Sequence, residues 1–223
     1  MERVGPSIDF TSTIGEDKAN MVVAAVFPAS SLSRKQSEIL GSILQGIPRG
    51  ALTEIAGPAS SGRTSFLCAL LAEATAGEEF CALIDVEDRF DPSSAAASGA
   101  RLSQILWVRC GGNAEHALKA ADLLASAGGF GLVAIDLADT PAKISRRIPL
   151  AAWFRLRHAV ENTRTALVSV GACVHASSCS ALKIELRRNR AIWRGCRLLD
   201  GFETIATRVE NHRPAKNTLR LAR

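Results

Sequence analysis

Short apolar runs alternate with longer amphipathic stretches from Ala51 onwards, and this alternation predicts the fold. The runs are apolar throughout, which is typical of strands that are buried on both faces of a parallel sheet. They predict strands at Ala51–Ala56, Phe80–Val86, Ile105–Arg109, Gly131–Ile135 and Ala166–Val170. The stretches around them predict helices at residues 63–76, 93–98, 114–127 and 148–161. We therefore expect an α/β domain in which helices cover both faces of a mostly parallel sheet.

The two ends of the chain depart from this alternation. Residues 1–30 mix Gly, Pro, Ser, Thr and acidic side chains with little periodicity, which predicts a partly ordered arm. Its apolar segment Met21–Phe27 is too short to span a membrane and follows acidic residues, so we expect a cytoplasmic protein. A helix is predicted at 31–44, at the start of a domain covering residues 31–223. Three later runs lack intervening helices and predict antiparallel strands at the sheet edge: Leu182–Leu186, Glu203–Val209 and Thr218–Leu221.

Composition and charge add a candidate partner to this picture. The 223 residues suffice for one well-buried domain, and 47% hydrophobic with 22% charged residues is an ordinary globular composition. Residues 143–223 hold 17 Lys and Arg against 5 Asp and Glu, whereas the preceding residues are acidic on balance. A segment of this kind predicts binding to a polyanion, and a solvated basic surface is the alternative.

The densest part of this basic segment surrounds Trp193. Its basic side chains could contact the phosphates of DNA or an acidic partner protein. They are Lys183, Arg187, Arg188, Arg190, Arg194 and Arg197. The indole could stack on an unpaired base, but the strand-forming residues near it favour a core position for Trp193.

The six cysteines are scattered without a C-x-x-C pair, and the four histidines fit no metalloprotease or hydrolase motif. The sequence therefore predicts neither a zinc site nor nucleophilic hydrolase chemistry.

The sequence GPASSGRTS, Gly57–Ser65, has the G-x-x-x-x-G-x-[ST] skeleton of a phosphate-binding loop between a strand and a helix. Its glycines permit backbone angles that aim N–H groups at an anion, and the helix adds its positive end. Thr64 offers a hydroxyl suited to Mg²⁺. Arg63 stands where the motif has Lys, and its planar guanidinium disturbs the geometry that phosphoryl transfer needs. We expect nucleotide binding to survive this exchange better than hydrolysis. The alternative is a strand-to-helix turn that binds nothing.

Two acidic residues extend the case for a nucleotide site. Asp136 follows the strand Gly131–Ile135, where a carboxylate would hold Mg²⁺ through water. Glu87 follows the strand Phe80–Val86, where a carboxylate could orient an attacking water. Either residue alone could be a solvated strand end, but the loop and both carboxylates in this order are more specific.

The chain resembles the RecA family in two segments, GIPRGALTEIAGPASSGRTS and CALIDVEDRFDP. The resemblance extends from about Gly46 to Arg223 and becomes weaker along the chain. The resemblance implies a RecA-like P-loop core that binds ATP with Mg²⁺, held by Thr64 and Asp136, and it implies that Glu87 is the catalytic glutamate. It implies that Asp91 contacts adenine. The nucleotide-binding residues are then Gly57, Ser60, Ser61, Gly62, Arg63, Thr64, Ser65 and Asp91.

Other family features are missing from the chain. Ser94 stands where an aromatic residue stacks on adenine, and Gly171 with Ala172 replaces the polar pair that senses the γ-phosphate. The mobile DNA-binding loop shrinks to about 173–180, and Glu210 with His212 replaces the lysines that reach ATP across the filament interface. These losses all affect ATP-coupled filament assembly on DNA.

In these losses the chain resembles the shortened RecA relatives of the ImuA type, with PRGALTEI and ILWVR fitting that group. This resemblance implies an accessory protein of DNA repair and damage-induced (SOS) translesion mutagenesis, without filament-forming recombinase activity. Its partners would be error-prone DNA polymerase components and RecA, with DNA contact through the basic segment. Two alternatives stay open: an active Mg²⁺-dependent, DNA-stimulated ATPase of the RecA type, and a purely structural interaction module.

Overall fold

A computed structural model describes residues 46–194, 198–210 and 213–214 of the chain. The predicted arm at 1–30, the predicted helix at 31–44 and the predicted strand Thr218–Leu221 lie outside these residues. Within them the chain forms one sheet with helices on both faces, as the apolar runs predict.

The observed elements follow the predicted ones closely. The strands are β1 Ala51–Ala56, β2 Cys81–Asp85, β3 Ile105–Arg109, β4 Leu132–Leu137, β5 Ala166–Gly171, β6 Leu182–Arg194, β7 Leu198–Glu210 and β8 Arg213–Pro214. The helices are α1 Arg63–Ala76, α2 Pro92–Ala97, α3 Ala114–Ala127, α4 Ala142–Ser145 and α5 Leu150–Val160, with short 3₁₀ turns at Leu102–Gln104 and Ser177–Cys179. The five core strands and the four predicted helices are confirmed to within two residues at each end.

The strand order is β3-β2-β4-β5-β1-β6-β7-β8. Every pair from β3 to β6 is parallel, and β7 and β8 are antiparallel to the strands before them. The mostly parallel sheet with antiparallel strands at its C-terminal edge is therefore confirmed. One detail of the prediction was wrong, because β6 itself runs parallel to β1, with Thr53 opposite Leu182.

The last two long strands form a ribbon that extends beyond the sheet. Each has 13 residues, far more than the runs Leu182–Leu186 and Glu203–Val209 predict. The reason is that β6 pairs with β1 only as far as Glu185, and from Leu186 onwards β7 is its one partner strand among the described residues. Arginines interrupt the apolar positions of this outer part of β6, so apolar periodicity could not reveal it.

Two apolar layers hold the sheet between the helices. On one face, α1 packs through Phe66, Leu67 and Leu70 against strand residues such as Ile55. On the other face, α3 and α5 pack around the fully buried Trp153. The parallel strands β1, β2, β4 and β5 consequently end at the same edge, where the loops after them meet. No helix in the described ranges is long and apolar enough to cross a membrane.

Candidate phosphate-binding site

The glycine-rich loop after β1 is fixed at both its ends. Gly57 N donates to the carbonyl of Gly171 at the end of β5, at 3.2 Å, and Ser61 N donates to Pro58 O at 3.2 Å. A Cβ on Gly57 would lie 2.5 Å from Leu186 O and would also overlap Ser61 Oγ. Only glycine therefore fits at this position, because the backbone of β6 passes directly against the loop.

Strand β7 holds the middle of the same loop. The buried Thr204 Oγ1 donates to Ser61 O at 3.2 Å, across 143 residues of sequence. Sequence reasoning missed Thr204, because no local pattern marks a threonine that contacts a distant carbonyl. The ribbon β6–β7 is thus part of the support of the loop.

The backbone of the loop suits an anion. Ser60 and Gly62 adopt left-handed conformations, with φ of 60° and 92°, and turns of this kind direct successive N–H groups to one side. Gly62 is the N-cap of α1 and makes no side-chain cap, and the first turn of α1 contains no acidic residue. The free N–H groups at the positive end of α1 consequently remain available to a phosphate.

The hydroxyl groups around the loop differ in access. Thr64 is exposed and Ser65 is half-buried, whereas Ser61 is fully buried. Ser61 Oγ has no hydrogen-bond partner among the described residues. Thr64 and Ser60, which is also exposed, therefore carry the hydroxyls of the loop that solvent ions reach most readily.

Arg63 contacts the protein itself. Its side chain is buried, and Nη1 donates to Ala138 O just past β4 at 2.9 Å. The position of the guanidinium places its charge beside Asp136, where it opposes part of the effect of burial on that carboxyl. Arg63 thus joins α1 to the end of β4.

Asp136, the next-to-last residue of β4, lies at the candidate magnesium position. Its side chain is buried, and Oδ1 accepts a hydrogen bond from Ala138 N at 2.9 Å. Burial raises the pKa of Asp136 from 3.8 to about 6, and the carboxylates of Asp85 and Asp139 add to the rise. Asp136 is therefore ionised at neutral pH, and the burial of its charge lowers the stability of the folded protein.

Asp85 shapes the loop that carries Glu87. Its buried carboxylate accepts hydrogen bonds from the backbone N–H groups of Arg89 and Phe90, at 3.0 and 2.8 Å, and from Trp107 Nε1 at 3.2 Å. Glu87 lies next to this anchored turn and is half-buried, and its Oε1 has no hydrogen-bond partner among the described residues. Sequence reasoning singled out Glu87 but missed Asp85, whose position inside an apolar strand was the available signal.

Asp91 is the N-cap of α2. Its carboxylate accepts hydrogen bonds from Ser93 N and Ser94 N, both at 3.1 Å, and from Ser94 Oγ at 2.5 Å. The hydrogen bond from the Ser94 hydroxyl is the main reason that its pKa lies below the usual value. The side chain thus already has a structural role at the start of a helix.

Glu54 organises the shortened loop after β5. It is buried in the middle of β1, and Oε1 accepts the N–H groups of His175 and Ala176, both at 2.6 Å. Its other oxygen accepts the Ser180 hydroxyl at 2.9 Å. A glutamate inside the apolar strand ALTEIA was the signal for this role, and our sequence analysis did not use it. The Glu54 carboxylate consequently fixes segment 173–180 against the sheet together with the buried side chains of Ala176 and Cys179.

The basic residues of the predicted binding segment lie on the ribbon. Arg187, Arg188 and Arg190 are exposed, and Lys183 is half-buried. Arg187 pairs with Glu185 at 3.0 Å, and the Arg188 guanidinium lies 5.1 Å from the centre of the Phe202 ring.

The remaining residues of that segment give a mixed result. The Arg194 side chain and Arg197 lie outside the part of the chain that can be described. The predicted core position of Trp193 was wrong, because its side chain is 56% exposed. Its part of β6 lies in the two-stranded ribbon, past the end of the pairing with β1.

A glycine-rich loop between a strand and a helix, with an acidic residue at the end of another strand of the same parallel sheet, defines a P-loop α/β domain. The family model of the RecA N-terminal domain matches residues 12–147, and the chain therefore belongs to the RecA family.

Individual relatives agree with this assignment. The chain is similar to the RecA protein of Deinococcus radiodurans, with 41% identity over 91 residues that cover 41% of the chain and 25% of the relative. It is similar to the RecA protein of Chloroflexus aurantiacus, with 28% identity over 171 residues that cover 70% of the chain and 47% of the relative. The chain thus spans between a quarter and about half of these relatives. The RecA resemblance is confirmed, whereas the narrower ImuA resemblance stays a prediction.

Proposed function

We propose that this chain is a RecA-like accessory protein of DNA repair that acts in damage-induced translesion mutagenesis. On this proposal it binds nucleotide phosphates without turning them over, and it does not form recombinase filaments. The observation that supports it best is the contact of Arg63 with Ala138 O. A motif lysine would direct a compact charge at the β- and γ-phosphates. The Arg63 guanidinium instead binds Ala138 O and lies beside the Asp136 carboxylate.

ATP with Mg²⁺ is the cofactor that the remaining residues fit in part. The backbone of Gly57–Gly62 and the start of α1 would hold the phosphates, with the hydroxyls of Ser60, Ser61 and Ser65 nearby. Thr64 and Asp136 would hold Mg²⁺, whose contribution is to neutralise phosphate charge. Asp91 does not fit a base contact well, since its oxygens already accept three hydrogen bonds. We therefore expect binding that depends on phosphates more than on the base.

The exposed arginines of the ribbon support DNA as a partner. Arginine side chains contact phosphates without reading sequence, and the exposed Trp193 could stack on an unpaired base. Error-prone polymerase components and RecA are the protein partners that the family resemblance suggests.

Thermal unfolding with and without Mg²⁺-ATP, followed by a phosphate-release assay on the same samples, tests the proposal. A ligand at about 100 times its dissociation constant stabilises the folded state by about 2.7 kcal/mol. For a domain of this size that corresponds to a rise in Tm of about 5–10 °C. We expect this rise without phosphate release, and an unchanged Tm would contradict nucleotide binding and favour the purely structural module.

An active ATPase is the second candidate, and one observation favours it. Glu87 Oε1 is buried without a hydrogen-bond partner among the described residues, as expected of a carboxylate that awaits a water or a substrate. Steady phosphate release that DNA stimulates, and that Glu87→Gln abolishes, would establish this candidate in place of the proposal. Asp88→Asn, on the neighbouring residue, is the matched control.

A further inference from the structure

A groove of about 570 Å³ lies between the amino end of α3, the segment that leads into α5, and α5 itself. Its walls include the apolar side chains of Leu118, Ile148, Ala151 and Ala152. The groove is on the face of the sheet that α3 and α5 cover, opposite α1. It is large enough for two or three apolar side chains of a ligand.

Large apolar side chains remain exposed around this groove. Ile144, which lines it, is 40% exposed. On α5, Leu150 and Phe154 follow or precede lining residues in sequence without lining the groove themselves, and they are 43% and 46% exposed. Leu150 and Phe154 are four residues apart and therefore lie on one side of the helix. A cluster of exposed apolar side chains beside a groove is typical of a surface that a partner covers.

Basic side chains lie on the rim of the groove. Arg147 lines it and makes no ion pair with any described residue, and Arg146 beside it is also exposed. Lys119 and Arg155 line it too, and each forms an ion pair: Lys119 with Glu115, which also lines the groove, at 2.8 Å, and Arg155 with Asp122 at 3.0 Å. Apolar walls with a rim of net positive charge complement a ligand that is apolar on one side and acidic on the other.

We propose that this groove binds an acidic amphipathic segment of a partner protein. Two or three apolar side chains of that segment fill the space next to Leu118 and Ile148, and its carboxylates pair with Arg147 and the neighbouring basic residues. The features favour a protein over a nucleic acid, because the walls of the groove are mainly apolar. No aromatic ring of the described residues lines the groove for bases to stack on. The groove shares no lining residue with the candidate phosphate-binding site or with the basic residues of the ribbon.

The test uses the full chain and a fluorescein-labelled peptide of about four helical turns, with Leu and Phe at i and i+4 spacing and Glu on the other positions. The comparison peptide has Lys in place of every Glu. We expect fluorescence anisotropy to give a dissociation constant of about 10–100 µM for the acidic peptide and about tenfold weaker binding for the basic one. Equal binding of the two peptides, or no binding of either, would overturn the proposal.

Two variants locate the binding on the protein. Ala151→Trp fills the groove from an exposed helix position, and Arg147→Glu reverses the unpaired charge. Each should weaken binding of the acidic peptide about tenfold, whereas Ala127→Trp, at the exposed last residue of α3 away from the groove, should leave it unchanged. Should Ala151→Trp fail to fold, Arg147→Glu still decides the question, since its side chain is exposed. Unchanged affinity in Arg147→Glu would refute the proposal. It would also be refuted if an oligothymidine displaced the peptide from the parent protein and failed to bind the same two variants, because the groove would then bind a nucleic acid.

Discussion

The buried carboxyl of Asp136 should make the stability of the protein depend on pH. Its pKa is about 6 in the folded chain against 3.8 ordinarily, so the folded state binds the proton more tightly than the unfolded state does. A raised carboxyl pKa destabilises the folded state above that pKa, and the effect disappears as the pH falls below the unfolded value. A difference of about two pKa units corresponds to about 3 kcal/mol in the free energy of unfolding.

Asp136→Asn isolates this contribution. The amide oxygen can still accept the hydrogen bond from Ala138 N, but the side chain no longer titrates. We expect the variant to be more stable than the parent by up to about 3 kcal/mol above pH 7, and to match it near pH 4. The pKa of about 6 already includes the attraction to Arg63, so the change in this difference between the two pH values measures the net effect of the charge.

Urea unfolding of both proteins at several pH values between 4 and 8 measures this difference. Asp122→Asn is the control, because that carboxyl is half-exposed, is paired with Arg155 and should contribute less than about 1 kcal/mol at any pH. A stability difference between Asp136→Asn and the parent that is the same at pH 4 and pH 8 would refute the argument from burial. So would a variant that is less stable than the parent at pH 8.

Three further changes test other contacts of the site. Gly57→Ala should lower the free energy of unfolding by about 1–3 kcal/mol, because the added Cβ meets Leu186 O. The control Gly77→Ala, at a φ of −78°, should be nearly neutral, and equal Tm values for the two variants would contradict this. Glu54→Ala leaves two N–H groups and a hydroxyl without their acceptor and should lower the free energy of unfolding by about 2–4 kcal/mol. Amide hydrogen exchange at residues 175–176 should become faster, and an unchanged exchange rate there would show that the loop does not depend on Glu54. Charge reversal of the exposed ribbon arginines Arg187, Arg188 and Arg190 should abolish binding of single-stranded DNA at moderate salt. Unchanged affinity in a gel-shift titration would contradict the proposed contact.

The order of the core elements was predictable because each depends on local patterns. The mainly apolar strands β1 and β4 lie in the middle of the sheet, and the helix Ala114–Ala127 has its apolar side against it. The glycine-rich loop was predictable for the same reason, since its spacing is a short-range property of the sequence. Local patterns therefore located the edge of the sheet where the site lies.

The contacts that define the site depend on residues far apart in sequence and could not be predicted in this way. The direction of the Arg63 side chain depends on Ala138 O, 75 residues away, and the support of the loop depends on Thr204. The exposure of Trp193 depends on how far β1 extends beside β6. In each case the sequence presents a residue type, and only the packing of a distant segment decides what it contacts.

The contacts of the loop separate phosphate binding from phosphoryl transfer. The backbone of β6 against Gly57 and the hydroxyl of Thr204 hold the loop in shape by packing alone. On the proposed function, a phosphate would therefore meet a preorganised loop, and its binding would cost little conformational freedom of that loop. Transfer would differ, because Arg63 would have to leave Ala138 O and so remove a half-buried carbonyl from its charged donor. Such a hydrogen bond contributes about 1.5–3 kcal/mol, which corresponds to a rate about ten- to a hundredfold lower. On the proposed function, the residue that replaces the motif lysine would thus impair turnover far more than binding.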